Sequence, residues 1–147
     1  MIKQYHHTQT GYFTIIAVII GMILVTYLMT ISGFNWVAFA VLIVLAICLV
    51  LFPTLTVLIY PDLLEIRFGS GIIRKRFILK DIEFCEVVKN PFFYGWGIHL
   101  IPNGWLYNVS GFYAVEIRMR SGKKYRIGTD VPDDLVIAIR QSIERTN

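Results

Sequence analysis

One long stretch without formal charge constrains this chain more than any other feature. Residues 4–61 contain no Asp, Glu, Lys or Arg, and they include two apolar runs. The first run, residues 12–32, would cover about 30 Å as a helix, which is the thickness of the hydrocarbon core of a bilayer. The second run, residues 36–53, is at the short end of the length that spans a membrane. The sequence therefore predicts a membrane protein.

The two runs favour a transmembrane helix hairpin. The segment between them, residues 32–35, is long enough for a tight turn and carries no cation, whereas Lys3 and Arg67 lie outside the runs. The positive-inside rule then predicts a multi-pass membrane protein with both termini in the cytoplasm. A buried core helix is disfavoured because little chain would remain to cover two such runs. A cleaved signal peptide is disfavoured by the length of the first run.

Small residues and a proline mark details of the runs. Ala17 and Gly21 are four residues apart, a spacing that lets another helix approach closely. The second run is the simplest partner for them, and a second copy in a homo-oligomer is the alternative. Pro53 precedes a segment that favours strand, so the second helix either ends near Pro53 or kinks there and continues briefly.

The remaining chain, residues 54–147, reads as a water-facing domain built mainly of strands. It contains every acidic residue and every basic residue except Lys3. Apolar and polar residues alternate between turn residues, as in Leu64-Glu65-Ile66-Arg67. An amphipathic helix is predicted over about residues 132–145. Residues 1–11 are expected to form a cytoplasmic tail.

The last hairpin admits two turns. A two-residue turn at Ser121-Gly122 would place basic side chains beside apolar ones. A three-residue loop at residues 121–123 pairs Arg118 with Arg126 and places Ile117 on Ile127. Burying cations is costly, so we expect the three-residue loop, with Ile117 and Ile127 in the core.

Several short motifs accompany this order of elements. They are Arg67-Phe68-Gly69, residues 78–82, residues 94–98, residues 104–111, and the segments 121–123 and 128–130. With its strands closed by one helix, the chain resembles the bacterial pleckstrin-homology-like membrane proteins. The resemblance implies a two-helix transmembrane hairpin followed by a mainly β pleckstrin-homology-like barrel or sandwich with a C-terminal capping helix. It implies no general enzymatic activity, and a lipid ligand does not follow from fold alone.

Residues that carry enzymatic chemistry are sparse. His6 and His7 are neighbours in the expected tail, and His99 stands alone on a predicted strand. Their spacing fits neither a metal site nor a nucleophile pair, so no enzyme, metal or cofactor is predicted. Cys48 and Cys85 belong to different depths, which argues against a disulfide. The net charge of +4 is too small to favour nucleic acid binding.

Basic residues on two predicted strand pairs form the first candidate site. They are Arg118, Arg120, Lys124 and Arg126 on the last hairpin, and Arg74, Lys75 and Arg76 on an earlier strand. Like charges that oppose each other repel, so the fold gains nothing from the expected hairpin register. The functional interpretation is a face for acidic lipid headgroups or an acidic partner, and the simpler one is a solvated pair of strands.

An aromatic loop is the second candidate site. It contains Phe92, Phe93, Tyr94 and Trp96 within a few residues. These side chains either cover one end of the core or form a patch for the membrane interface or a partner.

Taken together, the residues predict a scaffold, binding or assembly module for a membrane protein partner. The alternative is a sensor of anionic lipid or of envelope stress, and an enzyme is a distant third interpretation.

Overall fold

The computed structural model describes residues 3–147, which form two β-sheets, three α-helices and two short 3-10 helices at Leu79–Asp81 and Phe92–Tyr94. The elements are β1 Tyr5–Thr10, α1 Tyr12–Ser32, α2 Trp36–Leu51, β2 Thr54–Ile59, β3 Leu63–Phe68, β4 Ile73–Ile78, β5 Ile82–Lys89, β6 Gly97–Ile101, β7 Gly104–Asn108, β8 Tyr113–Met119, β9 Lys124–Gly128 and α3 Pro132–Thr146. One sheet has the order β1-β2-β3-β4 and is antiparallel. The other has the order β5-β8-β9-β7-β6, with β7 and β9 parallel.

The two apolar runs form helices, as the sequence predicts. Among the described residues, α1 is the helix that is long and apolar enough to cross a membrane. The second helix, α2, has 16 residues and is equally free of charge. The side chain of Asn35 begins α2 by accepting a hydrogen bond of 2.7 Å from the backbone N–H of Val37. The helix α2 ends at Leu51, before Pro53, and does not continue through a kink at the proline.

The N-terminal segment differs from the expected tail. Residues 5–10 form β1, which pairs antiparallel with β2 from Tyr5–Ile59 to Thr10–Thr54. Its sequence lacks apolar alternation, so the strand depends on the free edge that β2 offers and not on its own pattern. Met1 and Ile2, the start of the expected tail, lie outside the described residues. The helices α1 and α2 are therefore an insertion between two paired strands.

The junction between the sheet and the helices is tight. The Gly11 N–H donates to the Pro53 carbonyl at 2.8 Å, which extends the β1–β2 pairing to the start of α1. The Thr14 hydroxyl donates to the Val109 carbonyl at 2.8 Å. A Cβ on Gly69, whose φ is +46°, would lie 2.5 Å from the Val50 carbonyl oxygen in α2. The β domain therefore contacts both the first turn of α1 and the last turn of α2.

The core lies between the two sheets and beneath α3. Buried apolar side chains come from both sheets, and α3 adds Leu135 and Ile139. This helix packs mainly against β5, β8 and β2. It begins at Pro132 with acidic residues in its first turn and carries Arg145 in its last, as its charge pattern predicts.

The last hairpin has the predicted faces but a different register. Glu116 pairs with Arg126 and Arg118 with Lys124, so the expected pairing of Arg118 with Arg126 is wrong by two residues. Gly122 closes the turn with a φ of +87°. A shift of two residues keeps every side chain on its face. The observed register places a carboxylate opposite Arg126, where the expected one would have opposed two arginines.

A pair of substitutions tests these faces. Ile117 is fully buried and Arg118 is exposed. We expect Ile117→Asp to lower the free energy of unfolding of the full chain by about 3 kcal/mol or more, because it buries an unpaired charge. Arg118→Ser should leave that free energy nearly unchanged. Urea unfolding in detergent compares the two, and a larger loss from Arg118→Ser would contradict the assigned faces.

Candidate functional site

The cations of the last hairpin are partly neutralised within the fold. The Glu116 carboxylate accepts a hydrogen bond of 2.8 Å from Arg126 Nε and lies 3.6 Å from Lys124 Nζ. Arg126 also donates to Asn90 Oδ1 at 3.0 Å, and its guanidinium lies 5.7 Å from the centre of the Tyr94 ring. These contacts give Arg126 and Lys124 a structural role in the outer face of the five-stranded sheet.

The other two cations of this hairpin remain exposed. Arg118 lies opposite Lys124, and Arg120 Nε donates to the Lys80 carbonyl at 2.9 Å. Neither forms a salt bridge with an acidic residue in the described chain. The predicted four-cation face is therefore reduced to two exposed arginines.

The β4 cations separate onto the two faces of their strand. Arg76 points outward, where it and Arg67 donate to the buried carboxylate of Glu65. Burial by itself raises the pKa of Glu65, but the hydrogen bonds from Arg76 and Arg67 outweigh it and hold the pKa below its ordinary value. Arg76 is thus committed to an ion pair on the outer face of the four-stranded sheet.

Lys75 lies on the inner face of β4, in phase with Ile73 and Phe77. Its ammonium nitrogen is 6.0 Å from the centre of the Phe77 ring and 5.8 Å from that of Tyr125, which belongs to the other sheet. These distances are in the range of cation–π contacts. The lysine therefore bridges the gap between the two sheets at their open side.

This gap is a cleft of about 470 Å³, called here the β4–β7 cleft. Its lining residues are Phe68, Ile73, Arg74, Lys75, Ile98, Trp105, Tyr107, Lys123 and Tyr125. It opens between β4 and β6, one edge strand of each sheet, and α3 packs mainly on other strands. The lining contains three cations and no acidic residue. Burial, with a smaller effect of Tyr125, raises the pKa of Tyr107, so its phenol stays protonated and can donate a hydrogen bond.

Among the residues that line this cleft, only Arg74 and Lys75 were predicted from the sequence as site residues. Lys123 falls in the predicted turn, and Trp105 falls on a predicted strand without a sign of its surroundings. The sequence does hold one usable signal, because Lys75 alternates with Ile73 and Phe77 and so interrupts an apolar face. Edge strands often carry inward-pointing charged residues, so a lysine on the inner face indicates that β4 is an edge strand.

The aromatic loop is divided between packing and exposure. Trp96 stacks on Phe13 in the first turn of α1, with ring centres 5.5 Å apart and planes 4° apart. Tyr94 lies against Arg126, as described above. Phe92 and Phe93 are 79% and 80% exposed. The loop therefore fixes the domain to α1 and leaves two phenylalanines projecting beside the helix ends.

The small residues of α1 face the second helix. A Cβ on Gly21 would lie 3.5 Å from Leu45 Cδ1, an ordinary contact. Ala17 lines a small cavity together with Cys48 and Trp96. In this structure the pair serves contact between α1, α2 and the aromatic loop, and a role in a homo-oligomer stays a prediction.

His7, His99 and Cys85 each contact other residues of the fold. His7 lies 2.6 Å from the Asp130 carboxylate, which joins β1 to the residues before α3. His99 contacts the Trp96 carbonyl. Burial raises the pKa of the Cys85 thiol against an opposing effect of Arg140. No group of three potential metal ligands occurs among residues 3–147.

Comparisons with protein-family models, with curated proteins and with solved structures found no match. The function is therefore inferred from the residues of this chain. Two surfaces carry it: the β4–β7 cleft and the exposed pair Phe92 and Phe93.

The Glu65 ion pairs have a measurable pH signature. A carboxyl group with a lowered pKa in the folded state contributes stability above its unfolded pKa of about 4.3, and the contribution is lost as pH falls through the folded pKa. We expect Glu65→Gln to lower the free energy of unfolding at pH 7 by about 1–3 kcal/mol. It should also make that free energy less sensitive to pH below about 5.

Unfolding curves of the full chain in detergent, measured across this pH range, check the expectation. Glu83→Gln is the matched control, because Glu83 is exposed and lies on β5 in the other sheet. Equal pH dependence of Glu65→Gln and the wild type would contradict the proposed role of Glu65.

Proposed function

We propose that this chain is a non-enzymatic integral membrane protein that acts as a scaffold, binding or assembly module for a larger membrane partner. In this proposal α1 and α2 cross the cell inner membrane as a hairpin, and the β domain is a pleckstrin-homology-like module in the cytoplasm. The observation that carries the proposal is the tight junction between domain and helices. Only Gly11 on one side and residues 52–53 on the other connect them.

The surface of the hairpin supports its place in a bilayer. Neither helix buries a side chain within the chain, so lipid or a partner must cover their apolar faces. Phe34 and Trp36 contact each other at the turn, with ring centres 5.0 Å apart, and Tyr12 lies at the opposite end. Aromatic residues at both ends of a span are typical of the membrane interfaces. The shorter α2 fits if the bilayer thins locally around it.

The pairing of β1 with β2 supports the predicted topology. Because the two strands flank the helical hairpin, residues 5–10 lie on the same side of it as the β domain. The turn at residues 32–35 carries no charge, whereas the domain side carries the cations. The positive-inside rule then favours a cytoplasmic domain.

The exposed phenylalanines support a binding role near the membrane surface. Trp96 stacks on the first turn of α1, so Phe92 and Phe93 lie close to the level at which the helix begins. Two neighbouring phenylalanines that project into water are costly, and a headgroup region or a partner protein would cover them. Because no flexible linker intervenes, the domain presents this pair in one orientation, which suits a scaffold.

A sensor of anionic lipid or envelope stress is the second candidate function. The observation that favours it is the β4–β7 cleft, which has three cations in its lining and no acid. Both functions use the same placement at the membrane.

Reporter fusions test the topology. We expect fusions at Met1 and at Asn147 to report the cytoplasm and an insertion at Gly33 to report the other side, because a hairpin returns the chain to its starting side. A signal from the far side at either terminus would contradict the hairpin.

Co-purification tests the scaffold. A tagged full chain, extracted in mild detergent, should retain specific membrane proteins that mass spectrometry identifies. We expect the double variant Phe92→Ser and Phe93→Ser to reduce this capture roughly tenfold or more, because buried aromatic anchors dominate binding at interfaces.

The matched control removes exposed apolar side chains from another part of the domain. Ile78 and Leu100 are 57% and 73% exposed, so Ile78→Ser and Leu100→Ser together change a similar area. Equal capture by the phenylalanine variant and this control would contradict the proposed role of the loop.

A further inference from the structure

The β4–β7 cleft has an apolar end that lies close to the membrane helices. The strand β4 begins at Ile73, directly after the turn at Gly69 that contacts the last turn of α2. Phe68, the residue before that turn, packs against Phe52 with ring centres 5.5 Å apart. On the opposite wall, Ile98 follows Trp96 by two residues. Phe68, Ile73 and Ile98 therefore line the end of the cleft nearest to α1 and α2.

The two lysines of the cleft lie farther from the helices. Lys75 is two residues beyond Ile73, which corresponds to roughly 7 Å along the strand. Lys123 lies at the β8–β9 turn, whereas β8 begins at Tyr113, close to the segment that contacts α1. Arg74 differs from the lysines, because it alternates with Lys75 onto the other face of β4. It donates a hydrogen bond of 2.9 Å to the Gly71 carbonyl, close to the Gly69 turn that contacts α2. The cleft thus runs from apolar near the helices to basic away from them.

The basic end is complementary to a phosphate group. No acidic residue lines the cleft, whereas the two buried acids on the outer faces of the sheets, Glu65 and Glu116, each hold cations of their own. The ammonium group of Lys75 lies at the gap and contacts aromatic rings instead of a carboxylate. The protonated phenol of Tyr107 adds a hydrogen-bond donor on the floor.

We propose that the β4–β7 cleft binds one anionic phospholipid from the adjoining leaflet. Its phosphate-bearing headgroup lies between Lys75 and Lys123, and its glycerol and upper chains lie against Phe68, Ile73 and Ile98. The cleft volume of about 470 Å³ accommodates a headgroup and part of the chains, but not a whole lipid. This inference rests on the proposed placement of α1 and α2 in the membrane.

Native mass spectrometry of the full chain in detergent micelles tests the site. The probes are phosphatidylglycerol and phosphatidylcholine, which differ in headgroup charge. We expect retained phosphatidylglycerol in the wild type and a clear preference over phosphatidylcholine. The double variant Lys75→Ser and Lys123→Ser should bind phosphatidylglycerol roughly 30-fold more weakly, the factor expected for removing two cations from an anionic lipid.

Two control variants separate this site from general charge and from folding. Lys80→Ser with Arg145→Ser removes the same charge from exposed positions outside the cleft and should bind as the wild type does. Lys75→Arg with Lys123→Arg keeps the cations and should retain binding. Coincident urea unfolding curves establish that the serine variants are folded.

Three results would overturn the inference. They are equal retention of the two lipids, equal binding by the cleft variant and the Lys80–Arg145 control, and full competition by free glycerol phosphate, which would indicate a soluble anion.

An inward lysine on an edge strand also opposes edge-to-edge association, and that role alone predicts no lipid preference. If the chain stays in the membrane fraction but shows no lipid preference, only the inference about the cleft is contradicted. If the chain purifies without detergent, both the proposed function and the lipid site are contradicted.

Discussion

The pairing of β1 with β2 determines most of this structure. The ladder from Tyr5–Ile59 to Thr10–Thr54 holds together the two strands from which α1 and α2 depart. It fixes the ends of the helical hairpin at neighbouring points and ties them to the sheet. It also occupies one edge of the four-stranded sheet, which leaves β4 as the other edge. The open side of the core, and hence the β4–β7 cleft, follows from this strand order.

The charges of the domain are arranged around two buried carboxylates, one in each sheet. Glu65 holds Arg67 and Arg76, and Glu116 holds Lys124 and Arg126. Removal of the basic partners would leave a buried carboxylate without compensation, so these ion pairs are structural. The cations of the cleft stand outside both clusters. A basic site therefore exists in this domain because the acids are placed elsewhere, and not because the net charge is large.

The sequence predicts the parts of the fold that depend on local pattern. The apolar runs, the amphipathic α3 and the faces of β8 and β9 all follow from the period of apolar residues. The strand β1 could not be predicted in this way, because His6, Thr8 and their neighbours gain a strand conformation only from β2. The predicted register of β8 and β9 was wrong for a related reason. The alternation of apolar and polar residues determines which face of the sheet a side chain takes. It does not determine the register of the two strands, in which Glu116 lies opposite Arg126.

The candidate sites show the same division. The sequence identifies the basic and aromatic residues, yet it cannot tell which cations a carboxylate holds or which aromatic rings stack on a helix. Arg126 and Trp96 are used within the fold, whereas Lys75 and Phe93 are available to a ligand or partner. Lys123 joins the cleft only through the β8–β9 turn. These assignments depend on contacts between residues that are distant in sequence.

Disulfide cross-linking in native membranes tests the central claim most directly. Thr8 and Thr56 oppose each other in β1 and β2, with their hydroxyl oxygens 2.9 Å apart. In a chain with Cys48 and Cys85 replaced by alanine, Thr8→Cys and Thr56→Cys should form a disulfide rapidly under mild oxidation. Thr8→Cys with Arg67→Cys, two strands away, should not. Failure of the first pair to cross-link in the membrane-embedded protein would contradict the strand pairing on which this account depends.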